Sequence, residues 1–205
     1  MFTGIVQGQA TLAYKKNNNA SSSFIFNFPS NTLKQIQKGA SIAINGTCLT
    51  VTDYDIEKGT ANFDAIEETL RLSNLGLLAI GDPVNFERAA KFGDEIGGHV
   101  MSGHIHSCLK IRKIEKTLEN CRIYFELTNE IKPYILNKGF VGLNGCSLTI
   151  AEVTETYFSI HLIPETLHLT TFGKLSEKEV VNLEIDSQTQ AIVDTVKRIL
   201  SQKQD

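Results

Sequence analysis

The chain has 205 residues, 41% of them hydrophobic and 21% charged, and its formal net charge is −3. A chain of this length can bury roughly 70% of its unfolded surface, and neither half has the basic charge of a nucleic-acid-binding domain. The N-terminus lacks the basic and apolar regions of a signal peptide, and no apolar run approaches the roughly 18 residues of a spanning helix, so we expect a cytoplasmic protein with no membrane segment.

The first half of the chain is predicted to consist mainly of short strands. Runs rich in β-branched and aromatic residues alternate with Gly, Asn, Asp and Pro signals, as in small all-β domains. These runs cover residues 24–28, 41–44, 49–52, 60–63 and 84–87. The polar residues 17–23 are predicted as a hairpin tip, residues 29–37 as a short helix, and residues 68–75 as a turn of helix.

The second half shows the same alternation of predicted strands and turns. Its predicted strands cover residues 121–127, 141–143, 148–150, 158–162 and 180–185. Short helices are predicted over residues 129–137 and 165–172, and the lysines between residues 110 and 116 are interpreted as a solvated strand edge or loop. About six strands in about 90 residues favour a closed barrel, because closure removes the exposed strand edges of an open sheet.

The tail is predicted to form an amphipathic helix that has no counterpart in the first half. Apolar residues recur at helical spacing within residues 189–202, among them Ile192, Val196 and Ile199. Such a helix places its apolar stripe either on the barrels of its own chain or against other subunits. The sequence leaves both arrangements open.

Three blocks of sequence occur twice in the same order. The blocks are Asn45-Gly46-Thr47-Cys48-Leu49-Thr50 with Asn144-Gly145-Cys146-Ser147-Leu148-Thr149, Thr3-Gly4-Ile5-Val6 with Ser102-Gly103-His104-Ile105, and Glu68-Thr69-Leu70 with Glu165-Thr166-Leu167. Their separation is too long for a solenoid, so the repeat indicates tandem globular domains. We predict an all-β fold of two similar six-stranded antiparallel barrels, residues 1–97 and 98–187, followed by a C-terminal helix over residues 188–205.

An Asn-Gly pair between apolar runs occurs once in each copy, at Asn45 and Asn144. This pair predicts a type I′ hairpin turn, which needs positive φ at both central positions. The turn explains the Asn and Gly but not the Leu-Thr that follows in both copies. Thr50 and Thr149 are therefore candidates to hydrogen-bond a ligand.

Two positions at which the copies differ carry side chains that could bind a ligand or take part in catalysis. Cys48 in the first copy corresponds to Ser147 in the second, and both side chains can act as a nucleophile or a hydrogen-bond donor. His104 stands where the first copy has Ile5, and we predict that it contacts a ligand or takes part in catalysis. No Gly-x-Ser-x-Gly elbow surrounds Ser147, which disfavours an ordinary hydrolase.

The spacing of the histidines, cysteines and glycines disfavours a metal ion or a nucleotide cofactor. His99, His104 and His106 are close together, but no cysteine or carboxylate lies at matching metal-ligand spacing, so we predict no metal site. Glycine motifs for ATP or dinucleotide phosphates are missing. The four cysteines form no CxxC pair and are predicted to be free thiols.

Several long motifs, in order, resemble one family along essentially the whole chain. They are Met1-Phe2-Thr3-Gly4-Ile5-Val6, Asn45-Gly46 with Cys48-Leu49-Thr50-Val51-Thr52, Glu87-Arg88-Ala89-Ala90-Lys91, Gly97-Gly98-His99 with Met101-Ser102-Gly103-His104-Ile105, and His161-Leu162-Ile163-Pro164-Glu165-Thr166-Leu167. The chain resembles the riboflavin synthases of the alpha-chain type. Such motifs are far more specific than a single short pattern.

The resemblance implies two similar six-stranded barrels and a homotrimer assembled through the C-terminal helices. It implies a transferase that dismutates two molecules of 6,7-dimethyl-8-ribityllumazine per active site, giving riboflavin and 5-amino-6-ribitylaminouracil. It implies no cofactor and no metal. Association with lumazine synthase is left open.

The resemblance also implies which residues bind and react, with the site lying between the first barrel of one subunit and the second barrel of its neighbour. One lumazine is expected to contact Gly4, Ile5, Val6, Cys48, Leu49, Thr50, Asp64, Ala65, Ile66, Glu67, Glu68 and Thr69. The other is expected to contact Gly103, His104, Ile105, Ser147, Leu148, Thr149, Ile163, Pro164, Glu165, Thr166, Leu167 and His168, with Lys138 reaching in from an adjacent chain. The expected catalytic residues are His104, Ser147, Cys48 and Asp186.

His104 is the preferred base because its unperturbed pKa lies nearest neutrality. Whether a side chain or a water molecule adds at C7 of a lumazine is left open. Asn144 stands where the family often has Asp, and because an amide cannot act as a base, we assign it a role in the turn. The rival reading is a non-catalytic lumazine-binding antenna protein of the same fold, which typically loses the polar residues of one half.

Overall fold

The computed structural model describes residues 1–117 and 120–202, and within them two sets of six strands form two closed antiparallel barrels. The first barrel consists of β1 (Gly8–Asn17), β2 (Ser21–Asn27), β3 (Ser41–Ile44), β4 (Thr47–Asp55), β5 (Thr60–Ile66) and β6 (Pro83–Arg88). The second consists of β7 (Ser107–Lys116), β8 (Cys121–Glu126), β9 (Phe140–Leu143), β10 (Cys146–Val153), β11 (Tyr157–Leu162) and β12 (Val180–Ile185). The predicted fold class is confirmed.

The two barrels have the same strand order. Around the first, the neighbours are β1-β2-β5-β4-β3-β6, and around the second the equivalent ring is β7-β8-β11-β10-β9-β12. Strand β1 pairs with both β2 and β6, so the first sheet has no free edge at this point. The repeat in sequence is therefore a repeat of whole folding units.

Both predicted hairpin turns are confirmed. Asn45 has φ +44° and Gly46 φ +80°, and the equivalent Asn144 and Gly145 have φ +44° and +82°. Positive φ at both central residues matches the right-handed twist of the flanking strands. The turns fix the register that places Cys48 opposite Ala43 in the first barrel.

Each barrel is filled by its own apolar core, and aromatic residues dominate it. Phe26 and Phe63 are completely buried in the first barrel, with ring centroids 6.0 Å apart. Phe125 and Phe158 are completely buried and stacked at 5.3 Å in the second. Burying one such side chain contributes about 1.5–3 kcal/mol.

The short helices lie where strands end. Helix α1 (Glu67–Leu72) follows β5 and α2 (Pro164–Leu169) follows β11, and 3₁₀ turns at Asn74–Leu77 and Thr171–Gly173 extend them. The predicted turns of helix at Glu68 and Glu165 are thus confirmed, although the first 3₁₀ turn runs past Gly76 to Leu77 and the second includes Gly173. A 3₁₀ turn at Lys132–Tyr134 occupies part of the helix predicted over residues 129–137.

Two local predictions are wrong. Residues 29–37 form successive turns instead of a helix, with positive φ at Asn31 and Gln35, because burial of Leu33 and Ile36 under the barrel overrides the weak helical pattern. The predicted tip 17–23 is shorter than expected, since β1 runs to Asn17 and β2 starts at Ser21. Cross-strand pairing incorporates the polar residues into the sheet.

The C-terminal helix α3 (Ser187–Ser201) confirms the predicted tail, whose last residues, 203–205, lie outside the described part. Its first turn is capped by Asp186, whose carboxylate accepts from the Thr189 backbone N–H at 2.9 Å. Ile192 and Val196 remain 66% and 50% exposed. Neither barrel of the chain covers this apolar face.

No helix in residues 1–117 and 120–202 is long and apolar enough to cross a membrane.

A buried amide network joins the barrels along their pseudo-twofold axis. The Asn182 amide donates to the Asn45 carbonyl at 2.8 Å, and the equivalent Asn85 amide donates to the Asn144 carbonyl at 2.9 Å. The Asn74 N–H closes the network by donating to Asn182 Oδ1 at 2.6 Å. Each of these three bonds joins one barrel or its cap to the other barrel, so the network sets their relative orientation.

Candidate functional site

The chain segment that precedes each barrel crosses to the other barrel. The Ser147 N–H of β10 donates to the Gly4 carbonyl at 2.8 Å, and the Cys48 N–H of β4 donates to the Gly103 carbonyl at 2.9 Å. Val6, which follows Gly4, is part of the apolar core of the second barrel. The two paired polar positions, Cys48 and Ser147, therefore each lie under a loop of the opposite repeat.

Glycine is required at both crossings. A Cβ on Gly4 would lie 2.5 Å from the Ser147 Cβ, and one on Gly103 would lie 2.5 Å from the Cys48 Cβ. Both glycines also have positive φ, +73° and +80°. The glycine that both copies share thus allows each loop to approach Ser147 or Cys48 closely.

The first cradle is a cavity of about 180 Å³ on the first barrel. Its lining residues are Thr47, Cys48, Glu68, Thr69, Leu72, Gly103, His104 and Ile105. Strand β4, helix α1 and the crossing loop each contribute a wall. Mixed thiol, hydroxyl, imidazole and apolar groups suit a planar heterocycle with polar edges.

The crossing brings residues of different repeats together. The family resemblance implied that Gly4, Ile5 and Val6 contact the same lumazine as Cys48. Within the chain, Gly103 and His104 contact the Cys48 cradle, whereas Gly4 contacts Ser147. The exchange follows from the loops, which extend past their own barrels before the first strand begins.

The equivalent position of the second barrel, which we call the Ser147 cradle, contains a serine–histidine pair that the sequence analysis did not predict. The Ser147 Oγ lies 2.6 Å from His99 Nδ1 and accepts the His99 backbone N–H at 3.1 Å. The imidazole is stacked on Phe140, with ring centroids 5.2 Å apart. The Gly97-Gly98 pair just before His99 was the available signal, because a Cβ on Gly98 would lie 2.6 Å from the Ser147 Cβ.

This geometry favours one tautomer of His99. Because the Ser147 Oγ already accepts a backbone N–H, its own hydrogen can point at Nδ1, which leaves the ring proton on Nε2. The Nε2 atom is buried and has no hydrogen-bond partner among the described residues. An unpaired buried donor of this kind suits an acceptor atom of a bound ligand.

Burial keeps His99 neutral. It lowers the pKa of His99 below its ordinary value of 6.5, although the negative charge of Asp186 opposes the shift. For Asp186, burial raises the pKa, but hydrogen bonds from Thr189 and Gln188 outweigh this, and the net pKa is lowered. Asp186 therefore stays ionised near the imidazole while it caps α3.

The expected base, His104, lies on the other side of the site. Its side chain is exposed at the mouth of the Cys48 cradle, and its backbone N–H donates to Ser102 Oγ at 3.1 Å. The structure thus separates His104 from Ser147 within one chain and gives Ser147 a different histidine.

The remaining expected ligand contacts lie on strands and short helices of both barrels. Thr50 and Thr149 are exposed on β4 and β10, next to buried Leu49 and half-buried Leu148. The other residues of this group occupy three places: Asp64, Ala65 and Ile66 end β5, Glu67, Glu68 and Thr69 begin α1, and Ile163, Pro164, Glu165, Thr166, Leu167 and His168 form the start and body of α2. Lys138 is exposed with φ +65°, and Ile5 and Ile105 flank the crossing glycines.

The predicted turn role of Asn144 agrees with its environment. Its side chain is buried, and its Oδ1 accepts from the Asn182 N–H at 2.8 Å and from the Asn74 amide at 3.2 Å. The residue thus serves the contact between barrels instead of contacting Ser147.

No group of three or more His, Cys, Asp or Glu side chains that could hold a metal gathers in the described residues. All four cysteines are free thiols, as predicted. Burial raises the pKa of Cys108 to about 11 and also raises that of Cys146, so neither thiol is primed as a nucleophile.

Comparison with known proteins agrees with the duplicated architecture. The family model described as the lumazine binding domain matches twice, over residues 3–89 and 102–186. A riboflavin synthase from Escherichia coli (strain K12) is 50% identical over 205 residues, which is all of this chain and 95% of that protein. A riboflavin synthase from Chlamydia pneumoniae is 42% identical over 202 residues, covering 98% of both chains.

Solved structures of similar fold contain bound ligands. LumP complexed with 6,7-dimethyl-8-(1'-D-ribityl)lumazine is 26% identical, with a TM-score of 0.81 over 90% of this chain and 98% of that one. LumP complexed with riboflavin has a TM-score of 0.83 over 91% of this chain and all of that one. Since identity to the synthases is 42–50% over 98–100% of the chain, against 26% to LumP, the chain belongs to the riboflavin synthase family.

Proposed function

We propose that this protein is a transferase that dismutates two molecules of 6,7-dimethyl-8-ribityllumazine. A four-carbon unit moves from one molecule to the other, and the products are riboflavin and 5-amino-6-(D-ribitylamino)uracil. The observation that carries this proposal is the 50% identity with a riboflavin synthase over the full chain. The reaction requires no cofactor or metal.

Two similar cradles suit a reaction between two copies of one substrate. The cradle beside Cys48 holds one lumazine and the cradle beside Ser147 holds the other. Holding both rings in near-attack geometry can contribute about 7–11 kcal/mol to lowering the barrier. Positioning is therefore the largest contribution that we assign to the protein.

We assign the Ser147–His99 pair to the lumazine that is attacked. The Ser147 oxygen adds at C7, the π-electron pair at C7 moves into the conjugated ring, and the hydroxyl proton moves to Nδ1 of His99, which lies 2.6 Å away and is kept neutral by burial. His104 at the mouth of the other cradle takes a proton from the 7-methyl group of the second lumazine. Cys48 and Asp186 complete the set as a hydrogen-bond donor and an electrostatic partner.

We propose that the active protein is a homotrimer in which the first barrel of one subunit faces the second barrel of its neighbour. The exposed apolar face of α3 supports this arrangement, because the two barrels of the chain do not cover Ile192 and Val196. In this arrangement, residues 1–97 and 98–187 are the two binding units and residues 188–205 serve assembly. Lys138 is exposed and able to reach a neighbouring subunit.

The test is incubation with the ribityllumazine alone, with no added metal or nucleotide. We expect riboflavin absorbance to rise while the uracil product appears in equal amount. The alternative function, suggested by the similarity to LumP, is a lumazine-binding antenna. Tight lumazine binding without flavin formation would favour the antenna and contradict the proposal.

A further inference from the structure

Two buried glutamates occupy equivalent positions in the two barrels, and the proposed chemistry does not use them. Glu87 lies in β6 and Glu184 in β12, and each is only 3% exposed. Burying a carboxylate is costly unless hydrogen bonds compensate for the lost water. The partners of these two groups therefore indicate what they do.

Glu87 holds the first crossing loop. Its Oε1 accepts from the Thr3 N–H at 2.6 Å and from the Thr3 hydroxyl at 2.8 Å, and its Oε2 accepts from the Gly4 N–H at 3.0 Å. The Ile5 N–H in turn donates to the Thr3 hydroxyl at 3.3 Å. One carboxylate thus fixes three successive residues of the loop.

Glu184 holds the second crossing loop in the same way. Its Oε1 accepts from the Ser102 N–H at 2.6 Å and from the Ser102 hydroxyl at 2.8 Å, and its Oε2 accepts from the Gly103 N–H at 3.1 Å. The His104 N–H donates to that hydroxyl at 3.1 Å. The carboxylate therefore anchors the backbone of the candidate base.

Each anchored loop is hydrogen-bonded to the other barrel. The Gly4 carbonyl accepts from the Ser147 N–H, and the Gly103 carbonyl accepts from the Cys48 N–H. We propose that Glu87 and Glu184 are crossed positioning residues: Glu87 of the first barrel orients the Ser147 cradle of the second, and Glu184 of the second barrel orients the Cys48 cradle of the first. This inference rests on the proposed function.

The chemistry of the donors explains why a carboxylate occupies each position. All three donors at each site are N–H or O–H groups, and a carboxylate has acceptors only. An amide of the same shape would direct an NH₂ group at a backbone N–H. Burial raises the pKa of both glutamates above its ordinary value, and the hydrogen bonds from the loop residues oppose this shift.

The crossing is tested by two local readouts that do not require turnover. The first is the rate at which iodoacetamide alkylates Cys48, located by peptide mass spectrometry. The second is the position of the His99 ring signals in a ¹H–¹³C NMR spectrum. Both are measured in Glu87→Gln and Glu184→Gln, with Glu126→Gln on the exposed end of β8 as the matched control.

Each glutamine substitution is expected to change the readout in the opposite barrel and not the one in its own barrel. Glu184→Gln should change the alkylation rate of Cys48 about tenfold and leave the His99 signals in place, because charge-assisted hydrogen bonds at its loop are lost. Glu87→Gln should shift the His99 signals and leave Cys48 alkylation close to wild type, because Glu87 accepts hydrogen bonds from the loop that reaches Ser147 and not from the loop that reaches Cys48. Both variants should lower kcat about 10- to 100-fold with little change in KM, because misplaced groups affect the reaction more than binding.

Milder variants keep the test valid if a glutamine variant fails to fold. Thr3→Val and Ser102→Ala each remove one hydroxyl and retain the buried carboxylate, and the same crossed pattern is expected with smaller shifts. An uncrossed pattern, or no change in either readout, overturns the inference. A crossed pattern in a protein that forms no flavin would leave this inference standing and reject the proposed function instead.

Discussion

Burial gives His99 and His104 different chemistry although only five positions separate them in the sequence. His99 is 8% exposed and contacts Ser147, whereas the side chain of His104 is exposed beside Cys48. A buried imidazole with a lowered pKa stays neutral, and its unprotonated nitrogen can accept a hydrogen bond from a hydroxyl group. The two histidines are thus suited to different steps.

Removing the Ser147 hydroxyl should leave the fold intact and impair the reaction. We expect Ser147→Ala to lower kcat about 10²- to 10⁴-fold, because the proton transfer to His99 is lost. Steady-state flavin formation measures the effect, and Ser30→Ala, on an exposed turn, is the control. Wild-type turnover in Ser147→Ala would assign the addition at C7 to another group or to water.

His99 should make stability depend on pH. Its folded-state pKa lies below 6.5, so the unfolded chain binds a proton first as pH falls. The corresponding stability is present above the unfolded-state pKa and is lost as pH decreases through the folded-state value. We expect His99→Gln to flatten the dependence of the free energy of unfolding on pH between about 7.5 and 5. Parallel curves for the two proteins would contradict this assignment.

At the scale of elements, apolar residues at helical spacing form a helix in one segment of the chain and turns in another. Residues 29–37 contain Leu33 and Ile36 at helical spacing but form turns, because both side chains are needed under the first barrel. The apolar positions of α3 are also at helical spacing, and here the helix forms with Asp186 as its cap. Length and capping, more than the apolar pattern, distinguish the two segments.

The exposed face of α3 should be necessary for assembly. We expect the double variant Ile192→Glu, Val196→Glu to be monomeric with little activity, because charges on this face oppose its burial between subunits. Sedimentation velocity measures the oligomeric state. Ser201→Glu, on the opposite side of the helix, is the control and should remain trimeric. A trimeric double variant would locate the interface elsewhere.

At the scale of the whole molecule, the two turns that define the repeat also meet each other. A Cβ on Gly46 would lie 2.7 Å from the Gly145 nitrogen, and one on Gly145 would lie 2.8 Å from the Gly46 nitrogen. The surrounding amide network satisfies the buried carbonyls of Asn45 and Asn144. The barrels are therefore joined backbone to backbone at their pseudo-twofold axis.

This contact predicts a difference between two glycines of similar conformation. Gly39 has φ +87° and open space around it, whereas Gly46 has φ +80° and contacts Gly145. We expect Gly39→Ala to lower the free energy of unfolding by about 1–2 kcal/mol, from backbone conformation alone. Gly46→Ala should lower it by about 2–5 kcal/mol, since overpacking adds to the same strain. Urea unfolding followed by circular dichroism measures both, and equal losses would contradict the role of the contact.

The sequence by itself determined the duplication, the barrels and the type I′ turns. These features depend on local patterns of period two and on residues that tolerate positive φ, such as Asn45 and Gly46. It also identified Cys48 and Ser147, because two copies can be compared position by position.

Only the tertiary structure decided which loop serves which cradle and which histidine contacts Ser147. The resemblance placed Gly4 and Cys48 at one lumazine, whereas the chain crosses between barrels before each first strand, so that Gly4 contacts Ser147 and Gly103 contacts Cys48. Nothing in a local pattern encodes that exchange, since it depends on how two separately folded barrels approach each other. The closeness of His99 to Ser147, across 48 positions, follows from the same approach.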